Sequence, residues 1–180
     1  MNLLDNNNMK NLVLVIDYQN DFVDGALGFE DAPLLYEGIK ERIKEAEKNK
    51  DEIIFTKDTH LENYMETCEG KNLPVPHCIK DSFGHKLYKD LEEISKKHTV
   101  IEKYTFGSKE LFELLKDKEY DYIEIFGVVT NICVISNAVI IKSLFPNANI
   151  VVNSKLSGSN DKVLEQKAYD ILKNLHIKVI

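Results

Sequence analysis

The sequence predicts an α/β fold: six strands in a mainly parallel sheet, with helices on both faces. Three observations point there. Short runs of β-branched residues and leucine alternate with amphipathic stretches along the whole chain. Each apolar run is short enough for a strand buried on both faces. No internal repeat or linker interrupts the alternation. At 180 residues the chain is long enough for one domain with a sizeable core. The expected division is a polar N-terminal tail over 1–10 and a single domain over 11–180.

The elements follow in order. Leu12–Ile16 is the first strand, ending at Asp17 and followed by Tyr18-Gln19-Asn20-Asp21-Phe22 and a glycine-containing loop. A carboxylate just beyond a buried parallel strand lies where open α/β sheets place their ligands. Leu35, Ile39, Ile43 and Ala46 recur at three- and four-residue steps, which predicts a surface helix over 34–50. Glu52–Phe55 is the second strand and runs into Lys57-Asp58-Thr59-His60. Residues 61–86 have no clean period and contain Pro74 and Pro76, so a long loop is expected; such loops are uncommon and often functional.

A helix over 87–95 precedes a short strand, Thr99–Ile101, that leads to Glu102-Lys103-Tyr104. Ser108 then caps a helix through Leu115, and Tyr122–Phe126 is the central strand. The helix after Cys133 is apolar around most of its circumference (Ile135, Ala138, Val139, Ile141, Leu144) and is expected to be deeply buried. A strand over Asn149–Val152, a helix over Asp161–Leu175 and a strand over Ile177–Ile180 close the chain.

Composition removes several function classes. A net charge of −7 argues against a nucleic-acid surface. No apolar run approaches the roughly 20 residues that span a bilayer. The first ten residues are polar and Asn-rich, without the apolar core of a secretion signal, so a cytoplasmic protein is expected. Three cysteines is an odd count and, in that setting, reads as free thiols or metal ligands rather than a disulfide framework.

The stretch from Ile123 to Val134 organises the rest. A strand stops at Gly127, the chain turns through Val128-Val129-Thr130, and a helix starts with Cys133 in its first turn. Thr130 is the expected N-cap. Cys133 then faces free backbone N–H groups at the positive helix end, a setting that lowers a thiol pKa and supplies oxyanion donors. Asp17, Lys103 and Cys133 all follow strand ends, so one edge of the sheet can bring them together. A thiol nucleophile, a carboxylate to take its proton and a cation to hold both make chemical sense. Taken singly, each also has a plain structural reading: a small buried hydrophobe, a turn cap, a surface charge.

Three blocks resemble the isochorismatase-like cysteine hydrolases, the family of nicotinamidase, pyrazinamidase and N-carbamoylsarcosine amidase. They are Val15-Ile16-Asp17-Tyr18-Gln19-Asn20-Asp21-Phe22, Glu102-Lys103, and Gly127-Val128-Val129-Thr130-Asn131-Ile132-Cys133-Val134. They occur in the family's order, and the likeness extends over 12–180. The resemblance implies a three-layer, doubly wound six-stranded fold and an Asp17–Lys103–Cys133 triad. It also implies a cis peptide at Val128–Val129 and an oxyanion hole from the N–H groups of Val129 and Cys133. True isochorismatases lack the nucleophilic cysteine, so its presence favours amide hydrolysis. A small-molecule amide substrate and a homodimer or homotetramer are further implications.

Asp58 and His60 stand one residue apart just past strand two, and His77 lies in the following loop. One carboxylate and two imidazoles suit Zn²⁺ first, with Fe²⁺ or Mn²⁺ as alternatives. The nicotinamidase branch has a similar Asp-x-His pair with a later histidine, and Glu69 falls where some members add a glutamate. The alternatives are loop hydrogen bonding by Asp58 and His60, or a structural zinc site recruiting Cys68 and Cys78. The ten-residue separation of those cysteines is not a zinc-knuckle spacing. His85 and His98 match nothing and are expected to be solvated.

For the substrate, Phe22 falls where nicotinamidases keep an aromatic that stacks on the ring. Leu73 and Pro74 stand near the place of a second one. Tyr104, and Phe106 on weaker grounds, are further candidates for the pocket. Nicotinamide is the leading substrate; a carbamoyl, ureido or other small amide, or a non-catalytic thiol-bearing domain, are the rival readings.

Overall fold

The computed structural model describes residues 9–180. The tail expected over 1–10 lies outside the described residues except for Met9 and Lys10, both exposed. In chain order the elements are β1 (Asn11–Ile16), α1 (Asn20–Val23), α2 (Tyr36–Asn49), β2 (Glu52–Asp58), α3 (Cys68–Asn72) and α4 (Leu91–Ser95). There follow β3 (Thr99–Lys103), α5 (Lys109–Leu115), β4 (Tyr122–Val128), α6 (Ile135–Leu144), β5 (Asn149–Gly158), α7 (Lys162–Asn174) and β6 (Lys178–Val179). The six strands form one sheet in the order β3-β2-β1-β4-β5-β6, and every neighbouring pair is parallel. No helix among the described residues is long and apolar enough to cross a membrane.

The period-two alternation of β1 separates two cores. Leu12, Leu14 and Ile16 pack with Leu111 and Leu115 of α5, Ala138 and Ile141 of α6, and Tyr169 and Leu172 of α7. Val13 and Val15 point the other way, to Ile39, Ile43 and Ala46 of α2 and Leu91 of α4. Helices therefore cover both faces, and the strand order reverses between β1 and β4. Doubly wound sheets open a crevice at that switch point, outside the strands' C-terminal ends. Asp17 follows β1 and Cys133 follows β4, so the two border it.

Several local expectations change. Strands expected to end at Phe55, Ile101 and Val152 run on to Asp58, Lys103 and Gly158, because ladder pairing with their neighbours continues past the apolar runs. The strand expected to stop at Phe126 runs on to Val128, because Gly127 holds a φ of 129° against Ile16. A Cβ there would lie 2.0 Å from the Ile16 carbonyl oxygen, so only glycine fits. Residues 61–86 are not structureless. Tyr64 is buried and its hydroxyl donates to the Leu73 carbonyl at 2.8 Å, while Thr67 caps α3 by accepting from the Gly70 N–H. The helix expected from Leu87 begins at Leu91, since Leu87 bridges to Gln19 and the Tyr88 N–H donates to the Tyr18 carbonyl. Finally, α6 is not deeply buried. Only Asn137, Ala138 and Ile141 are buried within it, because one face packs on the sheet while Val139, together with Ile132 just before the helix, is exposed.

Candidate active site

Lys103 closes β3 and is wholly buried. Its Nζ lies 2.7 Å from Asp17 Oδ2, 3.0 Å from Asp58 Oδ1 and 3.4 Å from Cys133 Sγ, and it donates to the Thr105 carbonyl at 3.2 Å. Burial works against an ammonium, but the charges of Asp17, Cys133 and Asp58 outweigh it and hold Lys103 well above the ordinary lysine value. One cation therefore ties together side chains that leave three different strands.

Asp17 is wholly buried at the turn after β1, where its φ is 47°. Thr56 of β2 anchors it: its hydroxyl donates to Asp17 Oδ1 at 2.7 Å. Burial pushes the carboxyl pKa up, and Lys103 and Thr56 pull against that. Lys103 Nζ, in contact with both, holds the Cys133 thiol on the same side as this carboxylate.

Two expectations about the cysteine turn are corrected. Thr130 does not cap a helix. Thr130–Val134 is a wide π turn in which the Val134 N–H donates to the Val129 carbonyl, and the Thr130 hydroxyl instead donates to Glu165 of α7 at 3.0 Å. The thiol pKa is not lowered either. Burial raises it, Asp17 and Asp58 add to the rise, and Lys103 offsets only part. Burial therefore favours the neutral form of the Cys133 thiol. The peptide bond Val128–Val129 is cis, as the resemblance implied.

Asp58, His60, Glu69 and His77 form a second cluster, with ligand atoms all within 4.8 Å of one another. His60 Nε2 lies 3.0 Å from Asp58 Oδ2 and 3.5 Å from Glu69 Oε1; His77 Nε2 lies 3.6 Å and 3.7 Å from the same two atoms. His77 Nδ1 is engaged by the Val75 carbonyl at 2.8 Å, which turns Nε2 inward as a ligand. Two imidazoles and two carboxylates converging on one point fit a divalent transition ion. Neither Cys68, which is exposed, nor Cys78, which is buried, belongs to this group.

The two clusters share a cavity of about 350 Å³ lined by Phe22, Asp58, Glu69, His77, Val129 and Cys133 among others. Phe22 is buried and meets the His77 ring edge-on at 5.4 Å. Leu73 and Phe106 also line this cavity, whereas Tyr104 lines an adjoining one. Among the other histidines, His85 is buried and bonds Thr59 Oγ1 at 2.9 Å, and His98 is half-buried against Glu47 at 3.0 Å. Both were expected to be solvated, but loop closure over β2 covers the first and α2 the second.

Sequence reading missed two buried amides. Gln19 Nε2 donates to the carbonyls of Asp58 and His85, both at 2.9 Å, and its Oε1 accepts the Asp58 N–H at 2.7 Å. Asn137 Nδ2 donates to the Cys133 carbonyl at 2.8 Å and the Phe106 carbonyl at 3.0 Å, and its Oδ1 accepts the Ser108 N–H. Asn137 was detectable as a polar residue on the inner face of an apolar helix. Gln19 gave no periodic signal.

A family model described as Isochorismatase domain matches residues 11–180. The chain belongs to the isochorismatase domain family. Within that family, the uncharacterized isochorismatase family protein PncA of Bacillus subtilis (strain 168) is 33% identical over 143 residues, 73% of this chain and 78% of that one. The nicotinamidase/pyrazinamidase PncA structure from Bacillus subtilis superposes with a TM-score of 0.84 at 25% identity, covering 95% of this chain and 99% of the other. The pyrazinamidase/nicotinamidase of Streptococcus mutans UA159 gives 0.84 at 28% identity, over 95% and 100% of the two chains. The pyrazinamidase of Pyrococcus horikoshii, solved in complex with zinc, shares the fold with a TM-score of 0.82 at 22% identity, over 95% and 98%. These likenesses group the chain, within the isochorismatase domain family, with the nicotinamidase-like hydrolases.

Proposed function

We propose that this family member is a cysteine amidohydrolase that splits a small carboxamide into its acid and ammonia, with nicotinamide as leading substrate and nicotinate as product. The observation that supports it best is that Lys103 Nζ contacts both Asp17 and Cys133, while Cys133 lines the cavity. Asp17 takes the thiol proton as Cys133 Sγ attacks the amide carbon, and the N–H groups of Val129 and Cys133 hold the oxyanion. Asp17 then returns that proton to the leaving nitrogen, so that ammonia departs and a thioester remains. Water, giving its proton to Asp17, attacks the thioester; the acid leaves and the sulfur recovers the proton. The raised pKa of Asp17 suits it to this exchange, since a stronger base takes a thiol proton more readily. Lys103 holds the carboxylate and sulfur in register by charge.

Asp58, His60, Glu69 and His77 would hold a divalent cation, with zinc favoured and iron or manganese next. A cation bound there would supply a Lewis-acidic point for a ring nitrogen or a water. Phe22 offers an aromatic surface beside that point, and Tyr104 stands one cavity away.

The deciding experiment is ammonia release from nicotinamide, pyrazinamide and simple ureido compounds, with and without added divalent metal. Nicotinamide should turn over, and Cys133→Ala should lose roughly 10³-fold or more in kcat. Full ammonia release by Cys133→Ala would overturn the reading.

A further inference from the structure

The cavity that holds Cys133 has a larger neighbour. The first measures about 350 Å³ and the second about 750 Å³. Glu69, Leu73, Phe106 and Ile132 line both, so the two adjoin at those side chains. Three of those four are large apolar side chains left substantially uncovered: Leu73 is 37% exposed, Phe106 45% and Ile132 37%. Tyr104, 46% exposed, continues the apolar surface into the second cavity. Contiguous apolar surface beside a reaction centre is what the apolar part of a ligand covers.

The cation-type cluster lies at the same boundary. Asp58 and His77 face the smaller cavity, His60 the larger one, and Glu69 both. Tyr104 lines only the larger cavity, and Cys133 only the smaller one.

We propose that the acyl group of the true substrate runs from Cys133 past Leu73, Phe106 and Ile132 into the second cavity. The preferred substrates are then primary carboxamides of a flat ring bearing an apolar substituent, not the bare ring. This rests on the amidase reading above and narrows its substrate class. The bond cleaved and the products are those of that reading: the carboxamide takes up water and gives the substituted acid and ammonia.

The test compares nicotinamide with a nicotinamide carrying an alkyl or phenyl group on its ring. Hydrolysis is measured with the wild-type protein, and binding of both amides by calorimetry with Cys133→Ala. Asn72 and Cys68 are exposed and line only the second cavity, so Asn72→Trp and, separately, Cys68→Trp fill it without touching the first. The alkyl amide should bind roughly fourfold more tightly per buried methylene and show the higher kcat/KM. Each tryptophan variant should cut that advantage by about tenfold or more while kcat/KM for nicotinamide stays within about twofold.

The proposal is overturned if the substituted amides bind no better than nicotinamide, or if the tryptophan variants weaken both amides alike. It is also overturned if those variants change only the oligomeric mass, which would make the second cavity a contact between copies of this chain. If no amide is hydrolysed yet the binding advantage appears and Asn72→Trp removes it, the amidase reading fails and the second subsite stands. If nicotinamide is hydrolysed and the advantage is absent, the subsite fails and the amidase reading stands.

Discussion

Asp58 and Lys103 stand opposite each other in register on β2 and β3, and their side chains meet, Nζ to Oδ1, at 3.0 Å. The other oxygen of the same carboxylate lies 3.0 Å from His60 Nε2 and 3.6 Å from His77 Nε2. One buried carboxylate thus joins the thiol cluster to the imidazole cluster. Burial alone would raise its pKa; the hydrogen bond of His60, the nearby His77 imidazole and the charge of Lys103 reverse that and hold it well below the usual carboxylate range. The two halves of the site are therefore coupled through a charge that neither half can lose cheaply.

The first prediction concerns that charge. Asp58→Asn keeps the shape but removes the anion from both neighbours. Bound divalent metal, measured by elemental analysis after purification, should fall well below that of the wild type, and kcat/KM for amide hydrolysis should drop roughly 10²-fold or more. His60→Asn should also lose metal but leaves the Lys103 partner in place, so its loss of activity should be smaller. An Asp58→Asn protein that retained both metal and activity would break the proposed link.

The acid limb of the pH–rate profile should report Asp17. The carboxylate must be ionised to take the thiol proton, so activity falls as pH drops through its pKa. Burial raises that pKa, while the ion pair with Lys103 and the Thr56 hydroxyl hold it down. The limb should therefore lie above the ordinary carboxylate range. Thr56→Val removes the 2.7 Å hydrogen bond to Oδ1 and should move the limb to still higher pH. A limb that does not move would mean that Asp17 is not the group titrating.

Much of this arrangement was legible in the order of residues, for a physical reason. β-branched runs that end abruptly in Asp17, in Asp58 and at Lys103 mark strand ends, and parallel strands put all their ends on one edge. The pairing Asp58-x-His60 was visible because both ligands come from one strand end; Glu69 needed the family resemblance, because α3 and its Thr67 cap bring it in from a segment with no period of its own. What stayed hidden was tertiary. Thr130 looked like a helix cap, but Glu165, 35 residues later, captures its hydroxyl. A helix start also suggested a lowered thiol pKa for Cys133, and only the fold shows that burial dominates there. The apolar surface of α6 could not say which face met the sheet.

Gln19 supplies a third test. Its side chain pairs with both backbone groups of Asp58 and with the His85 carbonyl from a wholly buried position. Gln19→Leu leaves those groups unpaired, at about 1–3 kcal/mol each, so unfolding in urea should show a loss on the order of 3 kcal/mol. Positioning makes a further demand: kcat and metal content should fall with KM less affected. Leu172→Ala, a core deletion at a residue that lines neither cavity, should destabilise by a similar amount and leave kcat alone. Equal kcat losses in the two variants would reduce Gln19 to a structural residue.

The last prediction is a pH dependence of stability set by His85. The Thr59 hydroxyl donates to the Lys57 carbonyl at 3.1 Å, so at the 2.9 Å contact it is His85 Nε2–H that donates to Thr59. Burial, then the charge of Lys57, lowers the His85 pKa from its ordinary 6.5. Just below that value the unfolded chain binds a proton that the folded one refuses. The contribution of His85 is thus complete above pH 6.5 and is lost as pH falls from there toward the lower folded value. Urea unfolding on both sides of about pH 6.5 should show the free energy declining on the acid side. In His85→Gln, which has no proton to take up, that decline should be shallower. An unchanged slope in the variant would show that His85 takes up its proton as readily in the folded protein as in the unfolded chain.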